Sequence, residues 1–267
     1  MARIRIPVVG GSNAHSVVPF DAQETINMYP EKGGEGAKNP SILLRWPGLS
    51  TWVTLSTGVG AVRGKGLYET SGHRLFGVHG SSLIEVSTLG VETVRGTLNT
   101  AFGVVSMIDN GADLAIADGV AIYQYTLATN TLTAVTDSDA PSNTPVVDYV
   151  DGYIFGFDPG ATSLGEFQHC NLLDVSDWLG TDKYNAESNP DSMVSLIANN
   201  GNLWLFGSKS YEVWYNRGAA TRTWKQLPGA TRSIGCGAAH SVAKMGGRVF
   251  WLGASKEGRS IVYMSEG

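Results

Sequence analysis

Five glycine-bearing turn dipeptides recur along this chain at intervals that point to a repeated antiparallel unit. They are Ser71-Gly72, Asn110-Gly111, Asp151-Gly152, Asn200-Gly201 and Gly246-Gly247, and their glycines stand 39, 41, 49 and 46 residues apart. Each is followed by a short apolar strand: "RLFGVHG", "ADLAIADG", "YIFGFDPG", "NLWLFGS" and "RVFWLGA". Before the turns run strands such as "VVSMID", "VVDYVD" and "SMVSLIA", with alternating or mostly apolar positions. A more polar third strand follows ("SLIEVST", "AIYQYTL", "YEVWYN"), and then a fourth ("VETVRG", "TLTAVT", "RTWKQL"). Four antiparallel strands in each unit of about 40 to 50 residues are the signature of a propeller blade. The chain is therefore expected to be all-β, a β-propeller of about five visible four-stranded antiparallel blades. Asn110-Gly111, Asp151-Gly152 and Asn200-Gly201 are predicted to be type I′ hairpins with positive φ at both central residues.

Composition agrees with many short strands and tight turns: 34 glycines, 42% hydrophobic and 16% charged residues among 267. The stretch "GNLWLFGSKSYEVWYNRG" (201–218) is the second and third strand of the fourth unit. Leu203, Leu205 and Gly207 share one face of its first half, and Trp204 and Phe206 share the other. Both faces are thus expected to pack between neighbouring blades, with the rings as core rather than as a stacking platform for bases or sugars. The fifth unit stops after its third strand, "SIVYMSEG". Two readings stay open there. Either "STWVTLS" (50–56) supplies the fourth strand, or these are the first five units of a longer ring. Residues 1–49 stand outside the repeat as an irregular N-terminal segment preceding the propeller domain at 50–267. Within it "YPEKGGEGAKNP" reads as an exposed polar loop, and "SILLRWPGLS" as a strand that turns at Pro47-Gly48.

The formal net charge of -5 argues against binding nucleic acid by phosphate neutralisation. Cys170 and Cys236 are far apart and outside any CxxC pattern, so they are expected to be buried free thiols rather than zinc ligands or a disulfide framework. The N-terminus "MARIRIPVVGGSNAHS" has no apolar signal region, and no apolar run spans a bilayer. A soluble protein made in the cytoplasm, with no membrane partner, is expected. No GxSxG, HExxH or SxxK is present. His15, His73, His79, His169 and His240 are never paired at ligand spacing, and His73 and His79 are roughly 20 Å apart along one strand. "GVGAVRG" (58–64) lacks the last glycine of a dinucleotide fingerprint in its proper place and no helix follows, so it cradles no phosphate. "RGAATRTWKQL" resembles a sialidase Asp-box through Thr223-Trp224 but lacks its aspartate and glycine. Asp109, Asp113, Asp118, Asp151 and Asp158 recur in blade loops, where turn chemistry accounts for most of them. No catalytic residue, metal or cofactor is assigned. The alternative is a carbohydrate-binding or glycan-cleaving propeller.

One segment is left over, "DKYNAESNPDSMVSL" (182–196), which accounts for the spacing of 49. It resembles the "AES-x-PD" motif of the tail hub family of short-tailed bacteriophages, the packaged-DNA stabilisation proteins. Ala186, Glu187, Ser188, Pro190 and Asp191 match that motif, with Tyr184 just before it. "INMYPE", with Asn27 and Tyr29, and "LLRWPGLS", with Arg45, Pro47 and Gly48, resemble the N-terminal segments of the family. "VRGKGLYE" is similar to its first propeller strand and "SKSYEVWYNRGA" to a later one. The chain resembles the N-terminal part of these longer proteins.

The resemblance implies a structural, non-enzymatic component of the virion tail. It would be a homo-oligomeric, hexameric ring below the portal and its adaptor, carrying tail spike or fibre and tail needle proteins. DNA would pass through it without sequence-specific binding. Because Pro190 biases Asn189 toward extended backbone, the 184–191 motif is expected to be an ordered insertion between blades rather than a blade strand. Its Glu187 carboxylate is expected to accept hydrogen bonds from backbone or arginine groups.

Overall fold

A computed structural model describes residues 28–32, 41–46, 48, 50–55, 64–186, 191–219, 221–254 and 260–265. The chain divides into two compact units, Met1–Thr54 and Leu55–Gly267. In the first, β1 (Met28–Lys32) and β2 (Ser41–Arg45) pair antiparallel, with Tyr29 opposite Leu44. This corrects the expectation of a loop starting at Tyr29. Pro30 lacks an N–H, but an outer strand of a two-stranded ladder tolerates one missing donor.

The second unit is a β-propeller, and its blades follow the turn repeat. The first holds β3 (Gly64–Glu69), β4 (Leu75–His79), β5 (Ser82–Val86) and β6 (Glu92–Thr97). The second holds β7 (Ser106–Asp109), β8 (Asp113–Ala117), β9 (Ile122–Thr126) and β10 (Thr131–Ala134). The third holds β11 (Asp148–Val150), β12 (Tyr153–Gly156), β13 (Glu166–Asn171) and β14 (Asp174–Asn185). The fourth holds β15 (Met193–Asn199), β16 (Asn202–Gly207), β17 (Tyr211–Asn216) and β18 (Trp224–Gln226). The fifth has three strands among the described residues, β19 (Ala243–Met245), β20 (Arg248–Ala254) and β21 (Ser260–Met264). Residues 50–55 form no strand, and Ser56 lies outside the described residues.

The turn chemistry holds at two of the three predicted type I′ sites. Asp151 and Gly152 have φ of 52° and 89°, and Asn200 and Gly201 have φ of 51° and 74°. Asn110 departs from the expectation, because only Gly111 of that pair has positive φ, at 92°. The Asn110 side-chain oxygen accepts from the backbone N–H groups of Ala112 and Asp113 at 2.9 and 2.7 Å. That makes a longer, side-chain-closed loop in place of a two-residue turn. In the first blade the left-handed residue is His73, at φ 60°, rather than Gly72.

The second strands of blades two, three and four are apolar on both faces because each face meets a different neighbour. Leu114 and Ile116 join Phe76 and Leu83 in the core between blades one and two, while Ala115 and Ala117 join Ile154 and Trp178 between blades two and three. Leu203 and Leu205 meet Phe155 and Phe167, and on the other face Phe206 and Trp204 meet Val249 and Trp251. The aromatic stretch at 201–218 is thus inter-blade core, as its alternation predicts.

Polar latches fix how the blades meet. Asp109 accepts from the Tyr68 hydroxyl at 2.8 Å and from the Ser71 N–H and hydroxyl, tying blade two to blade one. Arg74 forms a two-pronged pair with Glu85, at 2.8 Å on each prong, and reaches across to the Leu127 carbonyl and the Asn130 side chain of blade two. Ser106 exchanges two hydrogen bonds with Val147, and Asp148 accepts from the Ala198 N–H at 2.7 Å.

The Arg74 guanidinium, against opposing burial and with help from Arg95, holds the Glu85 carboxyl below its ordinary value. Burial pushes the Asp109 carboxyl up, but its bonds from Ser71, Tyr68 and Gly111 outweigh that and leave it lowered. Stability from lowered carboxyls is full above the unfolded value, about pH 4, and is lost as pH falls through the folded values. An Asp109→Asn, Glu85→Gln double variant is therefore expected to be less stable at pH 7 and to lose less on acidification. Urea unfolding at pH 7, 5 and 3 checks this, and parallel pH profiles for variant and parent would refute it.

Candidate functional site

The described family-motif residues of the propeller unit, Tyr184, Ala186 and Asp191, lie at the end of the third blade and the start of the fourth. β14 is long enough to carry "DKYN" (182–185) as its final turn-ward residues. The segment up to Asn185 is thus blade strand, which corrects the expectation of an insertion. Its polar residues misled because an outermost strand buries only part of its surface: Lys183 is exposed beside buried Tyr184. Tyr184 lies opposite Phe167 and stacks on it, with centroids 5.4 Å apart at 21°, and meets Trp214 edge-on at 5.9 Å. Burial raises its phenol above the ordinary range.

Beyond the strand, the Ala186 N–H donates to the Gly165 carbonyl at 3.0 Å. Gly165 has φ of 77°, and a Cβ on it would sit 2.8 Å from the Ala186 carbonyl oxygen, so this close approach requires glycine. Glu187, Ser188 and Pro190, with the hydrogen bonds expected for Glu187, lie outside the described residues.

Asp191 is buried, and its carboxylate accepts from the Lys209 N–H at 2.6 Å, the Ser210 N–H at 3.0 Å and the Ser210 hydroxyl at 3.2 Å. It thereby closes the turn between β16 and β17. A Cβ at Gly207 would overlap that carboxylate. The Gly207 carbonyl in turn accepts from the Cys236 N–H at 2.9 Å, which carries the same junction on toward the fifth blade. Asp191 acts as a turn brace with all its contacts inside the fold.

The other motif residues belong to the N-terminal unit. Tyr29 is half-buried on β1 with its ring 4.8 Å from that of Trp46. Arg45 is exposed at the end of β2, opposite Met28, and Gly48 is exposed with open space around it. Asn27 and Pro47 lie outside the described residues.

The inner strands end in a hollow of about 610 Å³ lined by Tyr68, Glu69, His73, Asp109 and Tyr149 among others. A glycan-cleaving site needs a carboxylic acid held protonated near neutrality. Asp109 is shifted the opposite way and is committed to four donors. Asp148 is pushed up by burial, yet its oxygens are taken by the Ala198 and Tyr149 N–H groups. Asp118 and Asp158 cap their own loops, as turn chemistry predicts. Among the described residues no three His, Cys, Asp or Glu side chains gather as a metal site. Cys170 and Cys236 are buried and free, and burial pushes the Cys170 thiol up to about 12.

Sequence reasoning missed Asp109 and Asp148 as latches. The available signal was position: each lies on an inner strand rather than in the turn dipeptide that follows.

Fold and junction together define a β-propeller scaffold whose blades are clamped by buried polar contacts. The chain belongs to the family described as bacteriophage P22 Gp10, beta-propeller, whose model matches residues 4–267. It is accordingly a bacteriophage structural protein of the packaged-DNA stabilisation class, a virion component. No curated protein matches it. Among solved structures it is similar to selenomethionine-substituted virginiamycin B lyase from Staphylococcus aureus, at 12% identity and TM-score 0.51, covering 90% of this chain and 78% of that one. A catalytically inactive form of that lyase with quinupristin matches at 11% identity and TM-score 0.51, covering 89% and 77%. At this identity the likeness concerns the propeller fold alone.

Removing the Asp191 brace is expected to leave buried donors unpaired, so Asp191→Ala should lose about 1–3 kcal/mol. Gly207→Ala should also destabilise, because its Cβ takes the space of the carboxylate. In the double variant the second change should cost less than it does alone, since the overlap is gone. Chemical unfolding of the three variants measures this, and additive losses would show that the contact is not shared.

Proposed function

We propose that the protein is a subunit of the tail hub that closes the packaged head of a short-tailed bacteriophage. On this reading copies assemble as a ring, six by resemblance, below the portal and its adaptor, and carry tail spike or fibre and needle proteins. It is made in the host cytoplasm and works in the virion tail. The observation that carries the reading is the family match along almost the whole chain.

Two physical features support it. A formal charge of -5 per copy repels phosphates, so a duplex can be held by a plug above and later slide out past a wall that does not bind it. Buried latches between blades make a stiff module, which suits a part that must transmit load without changing shape. The role is mechanical rather than catalytic: of the two carboxylates lining the inner hollow, Asp109 is committed to structural donors, and Glu69 is exposed beside His73.

The motif residues of the N-terminal unit, half-buried Tyr29 and exposed Arg45 and Gly48 with neighbouring Asn27 and Pro47, and the motif residues Glu187, Ser188 and Pro190, are the proposed contacts with adjoining subunits or tail proteins. Native mass spectrometry is expected to give a hexamer and Arg45→Glu to lower the copy number without changing the melting temperature. The protein should not retard duplex DNA at 50 mM salt. A monomer that cleaves glycans, with turnover lost on changing one blade-loop aspartate, would replace this reading with the glycosidase.

A further inference from the structure

Charge is sorted along this chain, and the two signs end on the outer sides of neighbouring blades. Residues 106–185, which make blades two and three, hold twelve of the 24 acidic side chains and a single lysine or arginine, Lys183. Residues 193–242, blade four and the stretch after it, hold five lysines and arginines and one acid, Glu212. Glu212 is buried, so the charge that blade four shows to solvent is positive.

The acidic side is built on β14, the outermost strand of blade three. It carries Asp174, Asp177 and Asp182, exposed or half-buried. Asp137 and Asp139, from the loop before blade three, lie against the same strand. Asp137 accepts from the Trp178 N–H at 3.0 Å, and a Cβ on Gly180 would sit 2.9 Å from an Asp139 carboxylate oxygen. Leu172, Leu173 and Leu179 are exposed along β14 and the turn before it, so this side offers apolar area as well as charge. On blade four, Arg217 and Arg222 stand in the loop between β17 and β18, Lys225 on β18, and Arg232 after it. All four are exposed, as is Lys209 in the turn before β17. Lys225 lies opposite Tyr215 and Arg232 opposite Tyr211, so the cations run about 13 Å along the blade edge.

Neither set is neutralised within the described residues. The ion pairs there are His73–Glu69, Arg74–Glu85, Arg95–Glu85, Lys183–Glu166 and Lys244–Asp148. None uses these five aspartates or these five cations. Arg217 and Arg232 donate to backbone carbonyls of their own loops, which holds the guanidinium groups in place without discharging them.

We propose that the two surfaces are halves of one interface between copies of this chain: the basic outer edge of blade four in one copy docks on the acidic outer side of blade three in the next. Each copy then gives its edge to one neighbour and its acidic side to another, a head-to-tail contact that closes into a ring when the rotation allows. Edge on edge, or side on side, would set like charges together. Exposed ion pairs are individually weak and are screened by salt, so they act as a band whose strength falls with ionic strength. A duplex is the other polyanion that a basic edge fits, but the acidic side of this chain matches its charge and adds the exposed leucines. The inference rests on the ring of the proposed function and adds which surfaces make it.

Sedimentation velocity of the full chain at 50 and 500 mM salt reads the copy number. The parent is expected to form a ring that loosens at the higher salt. R222E/K225E, with an acidic edge, and D174K/D182K, with a basic side, should each associate about tenfold more weakly while melting as the parent does. Mixing the two in equal amounts should restore an assembly with an even number of copies, because each reversed surface then meets its complement on the other variant. Should a reversal prevent folding, R222Q/K225Q takes its place and is expected to weaken association several-fold. Variants that assemble as the parent does would overturn this inference and leave the ring standing, and so would a mixture that stays dissociated. A parent that is a monomer or a dimer at 50 mM salt would overturn the ring and this contact together. Duplex DNA retarded by the parent but not by R222E/K225E would assign the edge to phosphate instead.

Discussion

The propeller unit depends on one constraint: its second strands are apolar on both faces and must be covered on both. A lone antiparallel blade would leave both of those faces in water, at about 25 cal/mol per Å² of apolar surface. Stacking blade against blade resolves this for every internal strand at once, as β8 shows with Leu114 and Ile116 turned one way and Ala115 and Ala117 the other. Side-chain size is matched across these interfaces. The small alanines of blade two receive Trp178 from blade three, and Gly96 leaves room for Leu132.

Apolar burial is non-directional, so it does not by itself fix the angle at which one blade sits on the next. The directional part is supplied by a few buried or half-buried polar contacts. Asp109, Glu85 with Arg74, Ser106 and Asp148 each bridge from one blade to its neighbour. Asp191 serves the same end within blade four by holding the turn that Gly207 and Ser210 frame.

The motif that ties the chain to its family has a structural logic in two of its residues. Tyr184 is a core ring between blades three and four, and Asp191 braces a turn within blade four. Their place in the motif reports how the blades meet. Arg45 and Gly48, in the N-terminal unit, are exposed.

The sequence by itself determined the fold class, the order of the five visible blades, and the burial of both faces of the central second strands. These follow from turn residues and a period of two, which act within a few residues of each other. It placed the left-handed turns at Asp151-Gly152 and Asn200-Gly201, where the local chemistry leaves little choice. It misjudged Asn110, whose side chain closes its loop in another way, and the polar end of β14, whose strand character comes from pairing with Glu166 and Phe167. It also passed over Asp109 and Asp148 as latches. Tertiary structure alone decided these, because a carboxylate near a turn reads alike whether its donors are its own neighbours or, as for Asp109 and Ser71, a loop 38 residues away on the adjoining blade.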